Sequence, residues 1–163
     1  MVGWIRPGVD ITQLRKTDFT KMCVVKELST EDFHAISEWW RFGVPNVEKP
    51  TEKWFQYVTN STNVVCICLK EQGTIKACCQ ADLVDDNAAI CVVTNPKALR
   101  QRYATKILQQ LQLTLKGRGV KRMEASVEDK NIASHLLARS FGFVSDESTN
   151  PEHGFHDYSK FVE

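Results

Sequence analysis

The segment from Ala89 to Val144 constrains the fold most strongly, because it sets strands, a basic turn and helices in a fixed order. An apolar strand leads into a basic turn that opens a long amphipathic helix, and a second strand then leads into a short helix closed by Gly142. The N-terminus of a helix carries backbone N–H groups without intrahelical acceptors, and these groups favour an anion. The order of strand, charged loop and helix therefore predicts a site for a phosphorylated cofactor.

The composition is that of one ordinary globular domain. The 163 residues are 42% hydrophobic and 25% charged, and a formal net charge of +1 gives no strong attraction to nucleic acid or anionic lipid. No apolar run reaches the roughly 18 residues of a membrane-spanning helix, and residues 1–7 lack the apolar core of a signal peptide. We therefore expect a cytoplasmic protein that has neither a membrane nor a nucleic-acid partner.

The spacing of apolar residues predicts a single α+β domain that follows an N-terminal extension. The extension spans residues 1–21 and shows no clear period, whereas residues 22–163 begin with a strand and two helices that start near Ser29 and Thr51. Three strands separated by short turn sequences then predict an antiparallel meander. A long helix from Tyr103, a strand, a short helix and two closing strands complete the domain.

The six cysteines all fall in segments predicted to be strands. Their spacing is alternating or adjacent, whereas metal sites favour two-residue spacers in turns with histidine nearby. We therefore expect buried structural thiols and no metal site, and only Cys91 keeps a functional role open, because it lies beside the predicted cofactor site. The cysteines are Cys23, Cys66, Cys68, Cys78, Cys79 and Cys91.

Residues 96–108 carry the first of two patterns that point to a family. Pro96 follows an apolar strand, and the residues after it align with the pattern Arg/Gln-x-x-Gly-x-Gly/Ala, which opens a long helix. Leu99 takes the Arg/Gln position, Arg102 takes the position of the first Gly, and Ala104 takes the last position. In this alignment the chain resembles the GNAT superfamily of acyl-CoA-dependent N-acetyltransferases.

The second pattern lies near the end of the chain. In the family, Asn-x-x-Ala/Ser precedes a helix that ends in Gly-Phe, and here the pattern runs from Asn131 through Ser134 to Gly142 and Phe143. The resemblance covers roughly residues 22–163 and is closest to the ribosomal-protein N-terminal acetyltransferase subgroup. It implies a single GNAT-like α+β domain with a mixed, mostly antiparallel central sheet, splayed between the fourth and fifth strands, and helices on both faces.

The resemblance also implies how acetyl-CoA is held as co-substrate. The pantetheine arm enters the splayed gap and pairs with exposed main chain, and the pyrophosphate lies on the N–H groups at the start of the long helix. Two departures alter this site: Leu99 lacks a polar side chain, and Arg102 replaces a glycine that allows close backbone approach. The Arg102 side chain either crowds the pyrophosphate or swings outward and contacts it. The implied cofactor-binding residues are Val92, Thr94, Leu99, Arg100, Gln101, Arg102, Tyr103, Ala104, Thr105 and Asn131.

Acetyl transfer needs a neutral amine, a polarised thioester carbonyl and an acid for the leaving thiolate. Many family members use a tyrosine where this chain has Ala138, and Ser134 is a candidate substitute, unless its hydroxyl only bonds its own backbone. The usual glutamate position falls at Ala88, and Asp86 in the preceding turn is a candidate base through a water, unless it only forms the turn. If neither acts, catalysis relies on proximity, and the rate is modest and rises with pH.

The remaining polar candidates receive structural interpretations. His34 and His135 are single histidines on predicted helices, and we expect them to be structural or exposed. His153, His156 and Asp157 cluster before the last strand, in the region that often edges the acceptor pocket in this superfamily. Three ligands so close together are too few and too poorly spaced to predict a metal site.

The implied activity is transfer of the acetyl group of acetyl-CoA to a primary amine by direct attack, in a monomer or homodimer. The acceptor is a small-molecule amine or a peptide amine, and near-zero net charge does not select between them. The alternative is a catalytically impaired acyl-CoA-binding module with a regulatory or scaffolding role, which Leu99, Ala88 and Ala138 favour. A nucleic-acid binder is a weaker alternative, because the basic residues near the long helix belong to no broader basic excess.

Overall fold

The computed structural model describes residues 20–24, 27–43, 52–98, 102–146 and 154–163. The described chain begins with β1 at Thr20, two residues before the predicted start of the domain. The strands are β1 Thr20–Val24, β2 Val64–Glu71, β3 Thr74–Val84, β4 Asn87–Thr94, β5 Arg122–Glu128, β6 Val144–Ser145 and β7 Phe155–Phe161. The α-helices are α1 Thr30–Gly43, α2 Glu52–Asn60, α3 Tyr103–Gly117 and α4 Ile132–Phe141.

The strands form one mixed sheet in the order β1-β2-β3-β4-β5-β7-β6. The pair of β4 and β5 is parallel, and every other neighbouring pair in this sheet is antiparallel, which confirms the predicted mixed and mostly antiparallel sheet. The predicted meander is β2, β3 and β4. Its first turn places Gln72 and Gly73 at φ 53° and 74°, the conformation that joins two strands through two residues.

Helices cover both faces of the sheet, as predicted. On one face α3 buries the stripe expected from its sequence, formed by Ile107, Leu108, Leu111 and Leu115, in a core cluster that also includes Ala138 of α4. On the other face Ile36 of α1 and Val58 of α2 pack against β2 and β3. Among the described helices, none is both long and apolar enough to cross a membrane.

The start of α1 is fixed by a reciprocal cap and by an ion pair to the sheet. Ser29 Oγ accepts the Asp32 N–H at 3.1 Å, and Asp32 Oδ2 accepts the Ser29 N–H at 3.0 Å. The same carboxylate lies 2.7 Å from Lys70 Nζ on β2. Burial by itself raises the pKa of Asp32, but the hydrogen bonds from Lys70 and Ser29 outweigh it and hold this pKa below its ordinary value.

Replacing Asp32 with asparagine is expected to lower the free energy of unfolding at pH 7 by about 1–2 kcal/mol, because Lys70 loses its charged partner. Since the folded-state pKa of Asp32 is depressed, its contribution is present above the unfolded pKa and disappears as the pH falls through the folded pKa. Urea denaturation at neutral and at strongly acidic pH measures the difference. Asp85→Asn, in an exposed turn, is the control variant. If Asp32→Asn remained less stable than the wild type by the same amount in acid, the stabilisation would not come from the ionised Asp32 carboxylate.

Candidate functional site

A gap opens in the middle of the sheet between β4 and β5. The two strands pair only along Asn87–Ala89 and Arg122–Glu124, and beyond Ala89 no strand of the described chain pairs with that side of β4. The splay expected between the fourth and fifth strands is therefore present. Its closed end lies near the β3–β4 turn, and it widens toward the start of α3.

The main chain of β4 presents unpaired groups to this gap. In an antiparallel pair, residues that bond the partner strand alternate with residues whose N–H and C=O point to the opposite side. The Asn95 N–H donates to the Lys76 carbonyl at 2.8 Å, and β3 and β4 keep one register throughout, so the odd-numbered residues of β4 bond β3. Ile90, Val92 and Thr94 therefore direct their N–H and C=O groups into the gap.

The main chain of β5, the strand that faces β4 across the gap, shows the same alternation. The Val162 N–H donates to the Lys121 carbonyl at 2.8 Å, which fixes the alternation between β5 and β7. Glu124 and Ser126 of β5 consequently direct their N–H and C=O groups toward β4. Main-chain donors and acceptors thus border the gap on both sides, so a narrow extended molecule with amide groups can pair with them.

A cavity of about 530 Å³ continues from this gap. Residues of β4, β5, α4 and β7 line it, together with Leu108 of α3. Of the residues predicted from the sequence, the structure brings together Val92, Asn131 and Ser134 in this lining. The cavity is thus bordered by strands from both sides of the splay and by residues of α3 and α4.

The start of α3 supplies the predicted helix N-terminus. The Lys106 N–H donates to the Arg102 carbonyl at 3.0 Å, so the N–H groups of Tyr103, Ala104 and Thr105 have no acceptor within the helix. The side chain of Arg102 is exposed and does not cap the helix. The predicted residues Leu99, Arg100 and Gln101 lie outside the described residues.

Arg102 has the backbone conformation that glycine adopts most readily. Its φ of 61° and ψ of 19° lie in the left-handed region. This is the residue that the sequence alignment places at a glycine position of the family pattern. The conformation expected of that glycine is therefore retained, while an arginine side chain is added at the start of α3.

Asn131 and Ser134 lie at the start of α4. Asn131 Oδ1 accepts the Ser134 N–H at 3.1 Å and so caps the helix. This cap uses the side-chain oxygen of Asn131, which leaves its amide nitrogen as the group that can reach a bound molecule. Ser134 Oγ forms no hydrogen bond with the described part of the chain, so the alternative in which it bonds its own backbone is not observed.

Of the two predicted catalytic residues, Ser134 lines the cavity and Asp86 does not. Asp86 lies in the β3–β4 turn, its side chain is 64% exposed, and it forms an ion pair with Lys121 at 3.5 Å. Its carbonyl accepts the Lys121 N–H at 2.7 Å, which anchors the beginning of β5. Asp86 does not belong to the cavity lining, and its position is that of a turn residue.

Sequence reasoning missed two polar pairs at the cavity wall. Asp157 of β7 accepts a hydrogen bond from Ser126 Oγ of β5 at 2.5 Å, and the two residues are direct cross-strand partners. Tyr158 Oη lies 2.7 Å from Nδ1 of His135 on α4, so His135 is not the isolated histidine that its sequence context indicates. Ser126, Asp157 and Tyr158 all line the cavity.

Three thiols form a separate group in the core. The Sγ atoms of Cys66, Cys68 and Cys78 lie within 4.8 Å of one another, and all three side chains are buried. The neighbouring Cys68 thiol and burial raise the pKa of Cys66 well above its ordinary value, so these groups remain protonated. Burial also raises the pKa of Cys91 at the cavity to about 11, which makes it a thiol rather than a nucleophilic thiolate at neutral pH.

Comparison with known proteins identifies the family. The model of the acetyltransferase (GNAT) family matches residues 26–143, and the chain belongs to this family. The resemblance inferred from the sequence is thereby confirmed. No curated protein sequence matches the chain at a significant level.

Solved structures share the fold across almost the whole chain. The ribosomal-protein-S18-alanine N-acetyltransferase from Escherichia coli is similar with a TM-score of 0.70 and 20% identity, over 89% of this chain and 95% of that one. The GNAT domain of S. lividans PAT has a TM-score of 0.73 and 14% identity, over 88% and 90%. The paia N-acetyltransferase from Thermoplasma acidophilum, in complex with coenzyme A, has a TM-score of 0.67 and 13% identity, over 88% and 99%.

Proposed function

We propose that this protein is an N-acetyltransferase that binds acetyl-CoA between β4 and β5 and transfers the acetyl group to a primary amine by direct attack. The observation that carries the proposal is the free main-chain edge of β4 at Ile90, Val92 and Thr94, which opens onto the cavity. Such an edge pairs with the amide groups of a pantetheine arm as it would pair with a strand.

We expect the cofactor to lie in the gap with its pyrophosphate at the start of α3 and its thioester at the cavity. Val92 and Thr94 bond the pantetheine arm, and the N–H groups of Tyr103, Ala104 and Thr105 hold the pyrophosphate at the positive end of α3. The guanidinium of Arg102 adds a charge-assisted contact to the phosphates. Leu99, Arg100 and Gln101 remain predicted members of this site. Asn131 donates from its amide nitrogen to the arm.

The chemistry takes place where the thioester reaches the cavity. The amine attacks the thioester carbonyl carbon, and the cavity holds the two reactants together, which supplies much of the rate. The carboxylate of Asp157, held by Ser126, is better placed than Asp86 to accept the amine proton, since it lies in the cavity wall. Ser134, on α4, also lines the cavity, where its hydroxyl contacts the sulfur.

Titration of the purified protein with acetyl-CoA by calorimetry tests the proposal, followed by measurement of thiol release with a panel of small-molecule and peptide amines. We expect micromolar to sub-millimolar binding and amine-dependent thiol release. Absence of binding at millimolar acetyl-CoA would refute the proposal. Binding without release for any amine would instead support the second candidate, the acyl-CoA-binding module, which is favoured by the buried alanines at positions 88 and 138.

The variants Arg102→Gly and Arg102→Ala distinguish the effect of the backbone conformation at residue 102 on stability from the effect of its charge on acetyl-CoA binding. Glycine adopts the left-handed conformation freely, so Arg102→Gly should change the free energy of unfolding by less than about 1 kcal/mol, whereas alanine keeps the strain. Both variants should weaken acetyl-CoA binding several-fold at low ionic strength, and the loss should shrink in salt as phosphate contacts are screened. Unchanged affinity at low salt would show that the Arg102 side chain points away from the cofactor.

A further inference from the structure

A tyrosine and a histidine from different elements meet at the cavity wall. Tyr158 of β7 is 1% exposed and lines the cavity. Its Oη lies 2.7 Å from Nδ1 of His135, the fourth residue of α4. The ring of His156 packs against both, with centroids 5.9 Å from His135 and 5.1 Å from Tyr158. His156 in turn bonds Ser145, so contacts on three sides hold this pair in place.

The hydrogen bonds of His135 determine which ring nitrogen carries a proton. Nε2 lies 3.0 Å from the carbonyl oxygen of Glu128, which can only accept, so Nε2 bears hydrogen. In neutral His135 the other nitrogen, Nδ1, accepts the hydroxyl hydrogen of Tyr158. In the imidazolium form Nδ1 donates to Tyr158 Oη instead, and the hydroxyl hydrogen is free to be donated to another group. One proton on His135 therefore reverses the direction of this hydrogen bond.

We propose that Tyr158 is the acid that protonates the leaving thiolate of CoA, and that His135 is the positioning residue that restores its proton. This inference rests on the proposed function. Ala138 occupies the position of the family's usual tyrosine on α4; it lies one helical turn after His135 and also lines the cavity. Tyr158 of β7 therefore supplies the phenol that α4 lacks. A phenol is a stronger acid than the aliphatic hydroxyl of Ser134, which leaves Ser134 to orient the sulfur.

The proton and electron movements balance. The amine nitrogen bonds the acetyl carbon, and the bond from that carbon to sulfur breaks with its electron pair on sulfur. Sulfur takes the Oη proton of Tyr158, and the tyrosine oxygen takes the proton from Nδ1 of the imidazolium, leaving neutral His135 bonded to Glu128 through Nε2–H. The proton lost by the amine passes to the Asp157 carboxylate and from there to solvent, and solvent returns one proton to His135 after CoA leaves. The products are one amide and one thiol.

Tyr158→Phe, which keeps the buried ring, tests the inference. With acetyl-CoA, kcat should fall by about 100-fold, while the KM for acetyl-CoA and the affinity for CoA stay within about two-fold. His135→Gln should lower kcat by about ten-fold, and His34→Gln, on the exposed side of α1, is the matched control that should not change it. Melting curves of each variant establish that the fold is retained.

An activated thioester distinguishes proton donation by Tyr158 from a purely structural role of this residue. The thiolate of S-acetyl-4-nitrothiophenol leaves without protonation, so Tyr158→Phe and the wild type should transfer its acetyl group at equal rates. An equal loss with both thioesters, or an unchanged kcat with acetyl-CoA, would overturn the role of Tyr158 while the proposed function stands. A wild-type protein that binds acetyl-CoA but acetylates no amine would overturn both.

Discussion

Val92→Pro is expected to abolish measurable acetyl-CoA binding while the protein stays folded. The Val92 N–H points into the gap and bonds no group of β3, so proline removes a donor for the cofactor and not for the sheet. The lost hydrogen bond alone accounts for roughly a ten-fold loss of affinity. The pyrrolidine ring also projects into the path of the pantetheine arm, which makes the total loss larger. Calorimetric titration measures the affinity, and circular dichroism shows whether the sheet is retained.

Two control variants, Val92→Ala and Val93→Pro, show whether the loss of binding comes from the Val92 N–H. Val92→Ala shortens the side chain but keeps the N–H, so acetyl-CoA should bind with affinity within a few-fold of the wild type. Val93→Pro removes an N–H that bonds the paired residue Cys78 on β3, so it should destabilise the sheet. Wild-type affinity in a folded Val92→Pro protein would show that the arm does not pair with β4.

Leu111→Ala is expected to lower the free energy of unfolding by about 3 kcal/mol, and the melting temperature by roughly 6–12 °C. Leu111 is 0% exposed, at the middle of the stripe by which α3 packs on the sheet. Its truncation leaves a cavity between the helix and the sheet that the rigid strands cannot fill. Thermal and urea denaturation measure the change.

Leu113 provides the matched control on the same helix. It is 63% exposed, so Leu113→Ala should change the free energy of unfolding by no more than about 0.5 kcal/mol. Comparable losses for the two leucines would contradict the packing described for α3. Because α3 carries the N–H groups at its start, Leu111→Ala should also weaken acetyl-CoA binding at temperatures near its melting transition.

Features that depend on local pattern could be predicted from the sequence. The apolar stripe of α3 follows from the helical period, and the meander of β2 to β4 follows from short turn sequences between apolar runs. The gap between β4 and β5 is different, because no local pattern indicates where neighbouring strands diverge. It was predicted through the family resemblance, which rests on the order of the motifs around Pro96 and Asn131.

The polar pairs of the candidate site could not be predicted, because each joins residues far apart in sequence. Ser126 meets Asp157 only when the register of β5 and β7 is known, and His135 meets Tyr158 only when α4 is placed over β7. Asp86 illustrates the converse. Its proximity in sequence to the family's glutamate position predicts a base, whereas its ion pair with Lys121 follows only from the fold.

The free edge of β4 has a further consequence for the behaviour of the protein in solution. Unpaired strand edges invite pairing with strands of other molecules and so promote aggregation. Here the unpaired stretch extends only from Ile90 to Thr94 and lies inside the sheet, with β5 on its far side. The splay therefore keeps these unpaired main-chain groups inside the sheet instead of at one of its open edges.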